Sequence, residues 1–340
     1  MMGINTEGRP RILIVATGGT ITMVRGPDGG LAPCADTGLL LERVPELRLL
    51  ADIDVLSLAN LDSTNLQPAF WPELSKAIYQ RLDQYDGVVV THGTDTLTYT
   101  AAALAFMLQE LPKPVVMTGS QVPLDEIGSD GRSNLINAVR VACMDVAEVL
   151  VVFGSLVIRA ARAKKTSAFD MQAFTSVNAP PVGTIGLTIR MNGDVRPRGK
   201  RRALLRAFLR PDVAMIPVYP GLKPEVVAHL VATHAGIVLE GYGAGNIPNA
   251  EGASLVPAIT EATARRVPVV VCTQCLVGST EMELYQVGRA SLQAGAIPAM
   301  DMTPETTLVK LMWVLGQTDD PSTVGSLMLK AFAGELHELS

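Results

Sequence analysis

Polar residues that could do chemistry follow four strand-like runs of the sequence, at the point where each run ends. They are residues 17–20 (TGGT), 60–64 (NLDST), 91–96 (THGTDT) and 119–121 (GSQ). These groups offer hydroxyl nucleophiles, carboxylates that can hold an ammonium, and backbone amides that can hold a carboxylate or an oxyanion. Ligands of parallel sheets bind beyond the carboxyl ends of the strands. We therefore expect one pocket to collect the four groups and to accept an amino acid.

A threonine hydroxyl is a weak nucleophile and needs a partner that removes its proton. A second threonine tied to a lysine and an aspartate would serve as that partner. Residues 159–166 (RAARAKKT) follow another strand-like run and supply lysines at its end. The same stretch is also typical of a solvated loop.

Each motif has a structural interpretation as well. Residues 17–20 could form a plain tight turn, although they match neither a P-loop nor a GxGxxG dinucleotide site. Residues 62–63 and 94–95 are of types that commonly cap helices. His92 invites a Ser-His-Asp arrangement with Ser63 and Asp95, but no GxSxG elbow supports it. A packed, hydrogen-bonded histidine is the simpler interpretation.

Composition narrows the class of function. The chain has 340 residues, 48% of them hydrophobic, and a net charge of −5, which argues against a nucleic-acid partner and favours a small-molecule substrate. We see no signal peptide and no apolar run of the ~18 residues that a span needs, so we predict a cytoplasmic protein without a membrane partner. The four cysteines fit a reducing compartment, and a lone CxxC at 272–275 indicates no metal site.

Short β-branched runs alternate with helical patterns along the chain. This predicts an α/β protein of two domains, the larger N-terminal one built on a mostly parallel, doubly wound sheet. We place a catalytic α/β domain at 1–190, a basic linker at 191–212 and a smaller C-terminal α/β domain at 213–340. Predicted strands are 11–16, 54–58, 87–91, 114–118, 149–153, 213–218, 236–239 and 267–271. Predicted helices are 69–82, 96–109, 132–144, 223–234, 254–264, 303–315 and 321–332.

The motifs together resemble the asparaginase family, in particular its cytosolic type I branch. The resemblance rests on TGGTI (17–21), DST (62–64), VVVTHGTDTL (88–97), TGSQVPL (118–124), SDGRSNLINA (129–138), EGYGAGNIP (240–248) and MTPETTLVKLMWVLG (302–316). They occur in the family's order from about residue 10 to the C-terminus. The resemblance implies hydrolysis of L-asparagine to aspartate and ammonia, without a metal or organic cofactor.

The resemblance also implies roles for single residues. Thr20 is the nucleophile, and it is activated by Thr94, Asp95 and Lys165, with Lys164 the less favoured lysine. On the same grounds the substrate-binding residues are Asp62, Ser63, Gly93 and Asn246. Asn246 matches a residue that reaches the site of a partner subunit, so a homodimer or homotetramer with a shared site is expected.

Three departures from the family pattern matter. A tyrosine on the loop after TGGT is absent, and Gly30 stands where it would fall. Glu240 occupies a position at which some bacterial members carry an arginine of an allosteric site, so feedback activation is not expected. Archaeal amidotransferase subunits share these motifs but carry an extra N-terminal domain, whereas the first strand here is predicted to begin near residue 10.

Two alternatives remain open at this point. One is a relative that acts mainly on glutamine, another ω-amide or an ester with the same threonine chemistry. The other is an amino-acid-binding protein with weakened turnover, which the missing tyrosine suggests.

Overall fold

The computed structural model describes residues 8–25, 31–33 and 39–337. The chain forms two compact units. The first contains Met1–Leu104, Leu108–Ser176 and Pro181–Leu205, and the second contains Ala105–Met107, Val177–Pro180 and Arg206–Ser340. Two short segments from the first two hundred residues thus belong to the second unit. Gly30 lies outside the described residues.

The chain up to Leu205 forms fourteen strands and five α-helices within the described residues. In order they are β1 (Arg11–Gly18), β2 (Met23–Arg25), β3 (Leu31–Pro33), α1 (Leu39–Arg43), α2 (Leu47–Leu50), β4 (Asp52–Leu61), α3 (Phe70–Tyr79), β5 (Gly87–Thr91), α4 (Leu97–Met107), β6 (Leu108–Gln109), β7 (Val115–Thr118), α5 (Gly131–Ala142), β8 (Val149–Phe153), β9 (Leu156–Arg159), β10 (Ala163–Lys165), β11 (Phe174–Ser176), β12 (Gly183–Ile185), β13 (Ile189–Met191) and β14 (Leu204–Leu205).

The main sheet of the first unit has eight strands in the order β13-β12-β9-β8-β7-β5-β1-β4. The five strands from β8 to β4 are parallel, and the remaining three add as antiparallel neighbours. The central strands β5, β7 and β8 are buried at every position. Both of their faces are covered, which is why they are continuous apolar runs rather than alternating ones.

Alternate residues of the central strands pack against helix α5. Ile14, Val89 and Leu150 share one cluster with Leu135 and Val139 of the helix. The strands β1, β5, β7 and β8 run in the same direction, so their carboxyl ends lie along one edge of the sheet. Packing against α5 holds them in this arrangement. The polar motifs follow these strand ends.

The second unit contains a separate four-stranded parallel sheet in the order β15-β16-β17-β18. Its core includes Val227, Leu239, Ile259 and Val271. The elements are β15 (Val213–Pro217), α6 (Pro224–Thr233), β16 (Gly236–Gly241), α7 (Val256–Ala264), β17 (Val269–Thr273), α8 (Gln286–Gln293), β18 (Ile297–Pro298), α9 (Pro304–Leu315) and α10 (Pro321–Leu329).

The predicted fold class is confirmed: a larger, mostly parallel α/β sheet precedes a smaller α/β sheet. Every predicted strand and helix overlaps an observed element, and β5 and β8 match to the residue. The predictions missed α1, α2, α8 and the short strands β2, β3, β6, β9–β14 and β18. None of the helices in the described ranges is long and apolar enough to cross a bilayer.

Candidate active site

The TGGT segment forms the turn that ends β1. Gly18 and Gly19 have φ values of +105° and +84°, a backbone region that favours glycine. The Gly19 amide donates to the carbonyl of Leu61, at the end of the neighbouring strand β4, over 3.1 Å. Thr20 then begins a 3₁₀ helix, Thr20–Thr22, and is half-buried. The two glycines therefore place Thr20 at the strand ends.

Three of the predicted segments touch at this turn. A Cβ on Gly19 would overlap the backbone of Gly93 and would lie 2.8 Å from the carbonyl carbon of His92. A Cβ on Gly93 would in turn lie 2.5 Å from Ser63 Oγ. The loops after β1, β4 and β5 thus meet at van der Waals distance, and glycine at 19 and 93 makes this approach possible.

The Asp62–Ser63 pair is both a local cap and part of this meeting point. Asp62 Oδ1 accepts from the amide and from the hydroxyl of Thr64, both at 2.9 Å. Ser63 is buried, and its carbonyl accepts from Thr96 Oγ1 at 2.8 Å, which ties the loop after β4 to the loop after β5. Asp62 and Ser63 can therefore serve as a local cap and as part of the site at the same time.

Thr94, Asp95 and Lys165 form one hydrogen-bonded group. Lys165 Nζ lies 2.8 Å from Thr94 Oγ1 and 2.7 Å from Asp95 Oδ1. Thr94 is buried, whereas 56% of the Asp95 side chain is exposed. A cation is thereby held on a buried hydroxyl by a carboxylate that keeps contact with solvent.

Strand geometry distinguishes the two candidate lysines. Lys164 and Lys165 are consecutive residues of β10, which pairs with β11 in an antiparallel hairpin. Successive side chains of a strand point to opposite faces. The Lys165 side chain reaches Thr94, so the side chain of Lys164 is directed away from this hydroxyl.

His92 does not form a Ser-His-Asp arrangement. The ring is fully buried, and this desolvation lowers its pKa from 6.5 to about 4, against a smaller opposing effect of the Gly93 backbone. Nδ1 lies 2.7 Å from the Gly93 carbonyl, which can only accept, so Nδ1 carries the proton. Nε2 has no hydrogen-bond partner within the described residues. His92 is a packed, neutral histidine.

A buried polar cluster that no sequence pattern had indicated lies behind the site. Asp130 accepts from the backbone amides of Gln121 and Val122, each at 3.0 Å. Asn134 Nδ2 donates to Asp130 and to the Gly119 carbonyl, both at 3.0 Å. Asp130 and Asn134 belong to the SDGRSN motif, whose i, i+4 spacing at the start of α5 puts both side chains on one helix face.

Two further predicted residues lie in the second unit. Asn246 follows β16 in a tight turn, in which its amide donates to the Tyr242 carbonyl over 2.8 Å. Glu240 is in β16, and its carbonyl accepts from the Val218 amide. The shared-site role of Asn246 and the absence of feedback activation remain predictions.

Comparisons with known proteins identify the family that this chain resembles. The family model described as Asparaginase, N-terminal matches residues 11–196, and that described as Glutaminase/Asparaginase C-terminal domain matches residues 212–328. An L-asparaginase of Thermococcus kodakarensis is 40% identical over 96% of this chain and 99% of its own length. A glutamyl-tRNA(Gln) amidotransferase subunit of Pyrococcus horikoshii is 37% identical over 97% of this chain and 78% of its own length.

A solved structure gives the same result at the level of the fold. The thermostable L-asparaginase from Thermococcus kodakarensis superposes with a TM-score of 0.91 at 39% identity, covering 97% of this chain and 100% of that one. The two family models together account for most of the chain. The chain is therefore a member of the asparaginase family of hydrolases.

Proposed function

We propose that this protein hydrolyses L-asparagine to L-aspartate and ammonia through a covalent threonine intermediate. The observation that carries the proposal is the group Lys165–Thr94–Asp95, which lies next to the meeting point of Gly19, Gly93 and Ser63. Gly19 precedes Thr20 and Gly93 precedes Thr94, so the two threonines flank a single backbone contact.

Substrate binding follows from the charges of an amino acid. The carboxylate of Asp62 is proposed to hold the α-ammonium group. The hydroxyl of Ser63 and the backbone amide at Gly93 are proposed to hold the α-carboxylate. Such charge-assisted hydrogen bonds are shorter and stronger than neutral ones. The side-chain amide of the bound substrate is then directed to Thr20.

In the first chemical step the Thr20 hydroxyl oxygen attacks the amide carbon and forms a new C–O bond. The hydroxyl proton passes to Thr94 and from there to the leaving nitrogen, so the C–N bond breaks and ammonia departs. Lys165, which donates to Thr94 Oγ1, keeps that hydroxyl in place for the transfer. Backbone amides near Thr20 and Thr94 are proposed to hold the oxyanion, a contact worth about 3 kcal/mol per donor. In the second step water attacks the acyl-threonine ester, which releases aspartate and restores the Thr20 hydroxyl.

The test is ammonia release from asparagine by the parent chain, Thr20→Ala and Thr94→Val. Thr17→Val is the matched control, because the Thr17 hydroxyl donates to the Thr91 carbonyl over 2.9 Å and is committed to the fold. We expect both site variants to lose activity by at least about two orders of magnitude and the control to keep most of it. A parental rate in Thr20→Ala removes Thr20 as the nucleophile.

A second candidate substrate is glutamine, because the chain also resembles a glutamyl-tRNA(Gln) amidotransferase subunit. The same threonine chemistry would release ammonia from the longer side chain. Steady-state rates for asparagine, glutamine and an ester substrate decide between these activities. If asparagine is among the poorest of the three, the asparaginase proposal fails. Aspartate binding by calorimetry without any ammonia release would indicate a binding protein instead.

We also propose that the protein works in the cytoplasm as a homodimer or homotetramer in which Asn246 completes the partner's site. The low cysteine content and the resemblance of the 240–248 segment to the family support this. Sedimentation of the parent chain tests the assembly. An active monomer at assay concentrations contradicts the shared site.

A further inference from the structure

The hydroxyl of Thr94 has two polar neighbours, one a hydrogen-bond donor and the other an acceptor. Lys165 Nζ lies at 2.8 Å and Gln121 Oε1 lies at 3.2 Å. A lysine ammonium only donates, whereas an amide oxygen only accepts. Thr94 Oγ1 must therefore accept from Lys165, and its own single proton is directed at Gln121. One lone pair of Oγ1 then remains for another donor.

The orientation of the Gln121 amide is required at both of its ends. Its oxygen faces the Thr94 hydroxyl, and its nitrogen faces the carbonyl of Asp170 at 3.4 Å. If the amide were turned over, its nitrogen would face the Thr94 hydroxyl, and the hydroxyl proton would have no acceptor. Its oxygen would face the carbonyl of Asp170, which cannot donate. Asp170 lies five residues beyond Lys165, so Gln121 contacts both Thr94 and the segment that follows its lysine.

The backbone of Gln121 is held as well. Its amide donates to both carboxyl oxygens of Asp130 at 3.0 Å. Asp130 is itself held by Asn134, whose side-chain oxygen accepts from the Gly154 amide at 3.0 Å. The cluster thus joins the loop after β7, the start of α5 and the turn between β8 and β9. A glutamine supported in this way keeps its side chain in one place.

We infer that Gln121 is a positioning residue that holds the hydroxyl proton of Thr94, so that a lone pair of Thr94 Oγ1 faces the nucleophile. This inference rests on the proposed function, because it gives Gln121 a role only through Thr94. Gln121 does not take part in bond making. It sets the direction of the Thr94 O–H bond when Thr20 or water approaches.

A positioning role for Gln121 predicts a loss of turnover without a loss of substrate binding. Gln121→Met removes the acceptor but keeps an unbranched side chain of similar length, and Gln121→Leu is a second variant that also lacks it. Gln121→Glu restores an oxygen acceptor. We expect kcat to fall roughly tenfold in the first two variants with KM within about twofold, and Gln121→Glu to recover most of the loss.

Gln317→Met is the matched control. Gln317 is also half-buried, and its Nε2 also donates to backbone carbonyls, those of Phe208 at 2.8 Å and Trp313 at 3.2 Å, but it lies in the second unit. We expect kcat and KM of this variant to match the parent. If Gln317→Met lost kcat to a similar extent, the loss at Gln121 would be a general consequence of replacing a half-buried glutamine. That result would overturn the inference.

A double variant tests whether Gln121 acts through Thr94. Gln121→Met added to Thr94→Val should cause no further loss of kcat, because the hydroxyl that it orients is already gone. A further loss overturns the inference. So do a parental kcat in Gln121→Met, a rise in KM at constant kcat, and a Gln121→Glu variant no better than Gln121→Met.

Failure of the inference and failure of the proposed function give different results. If Thr94→Val retains the parental rate, the role of Thr94 fails and the inference falls with it. If Thr94→Val is inactive while Gln121→Met is normal, only the inference fails. Calorimetric binding of aspartate, expected to be unchanged in all three Gln121 variants, shows that the site is intact in each comparison.

Discussion

Lys165→Met should lower the activity of this protein far more than its stability. The substitution removes the donor to Thr94 Oγ1 and the ion pair with Asp95. Methionine keeps the length and the apolar stem of the lysine, so the packing of β10 changes little. What is lost is therefore the cation and its two short contacts.

The expected cost in stability is small. The Asp95 side chain is 56% exposed, so its carboxylate stays hydrated without Lys165. Exposed ion pairs contribute about 0–1 kcal/mol, and solvent places this pair toward the low end. The bond to Thr94 adds about 1 kcal/mol. We expect the free energy of unfolding to fall by about 1–2 kcal/mol and the melting temperature by a few degrees.

The expected cost in activity is much larger. Lys165 is the cation that holds the Thr94 hydroxyl proposed to relay the proton of the nucleophile, and positioned proton transfer contributes about 10²–10⁴-fold. A coupled ammonia assay at saturating asparagine measures the rate, and a thermal melt of the same sample measures stability.

Lys164→Met is the matched control for this prediction. Lys164 is the preceding residue of the same short strand, and its side chain lies on the opposite face from Lys165. We expect it to keep a rate within about threefold of the parent. If Lys165→Met stays within tenfold of the parent rate, or if Lys164→Met is equally inactive, the role of Lys165 is wrong.

Three further predictions concern the backbone turn, a buried ion pair and a buried histidine. Gly19→Ala should lower both the rate and the melting temperature, because its Cβ would overlap the backbone of Gly93 and its φ is +84°. Lys310→Met should cost about 3–5 kcal/mol of stability, because it leaves Glu335, whose side chain is fully buried with that of Lys310, as an unpaired charge. Acidification from pH 6.5 to 4 should cost about 3 kcal/mol through His92 alone, because its pKa is about 4 when folded, so only the unfolded chain gains its proton in this range.

Each of these predictions has its own control. Gly186→Ala should be nearly neutral, because a Cβ there meets nothing within 4 Å; equal losses at both glycines contradict the steric argument. Adding Glu335→Leu to Lys310→Met should restore part of the stability, and no recovery argues against an unpaired charge. For His92, chemical denaturation at several pH values should show a shallower pH dependence in His92→Gln; identical slopes contradict the depressed pKa.

Much of the fold follows from local patterns in the sequence. The runs that became β5 and β8 are β-branched, apolar and bounded by turn residues, and they were predicted to the residue. Their continuous burial follows from their central place in a parallel sheet. Short strands such as β9, β12 and β13 could not be read in this way. They have three or four residues each, and their pairing partners rather than their own patterns make them strands.

Parts of the site could also be predicted, since Thr20, Ser63 and Thr94 all follow strands whose carboxyl ends share one edge. The choice of Lys165 over Lys164 needed the resemblance, and the structure adds a direct contact with Thr94 across a separation of 71 residues. The neutral, packed state of His92 also needed the structure, because its burial is a property of the whole sheet.

By itself, then, the sequence determined the fold class, the order of the elements and the residue types available for chemistry, because these depend on periodicity and on motifs within short segments. Only the tertiary structure decided which hydroxyl each donor and acceptor reaches. The acceptor role of Gln121 and its support by Asp130 depend on the loop after β7 and the start of α5 meeting beside Thr94. Such contacts join segments through packing, and no local pattern encodes the distance between them.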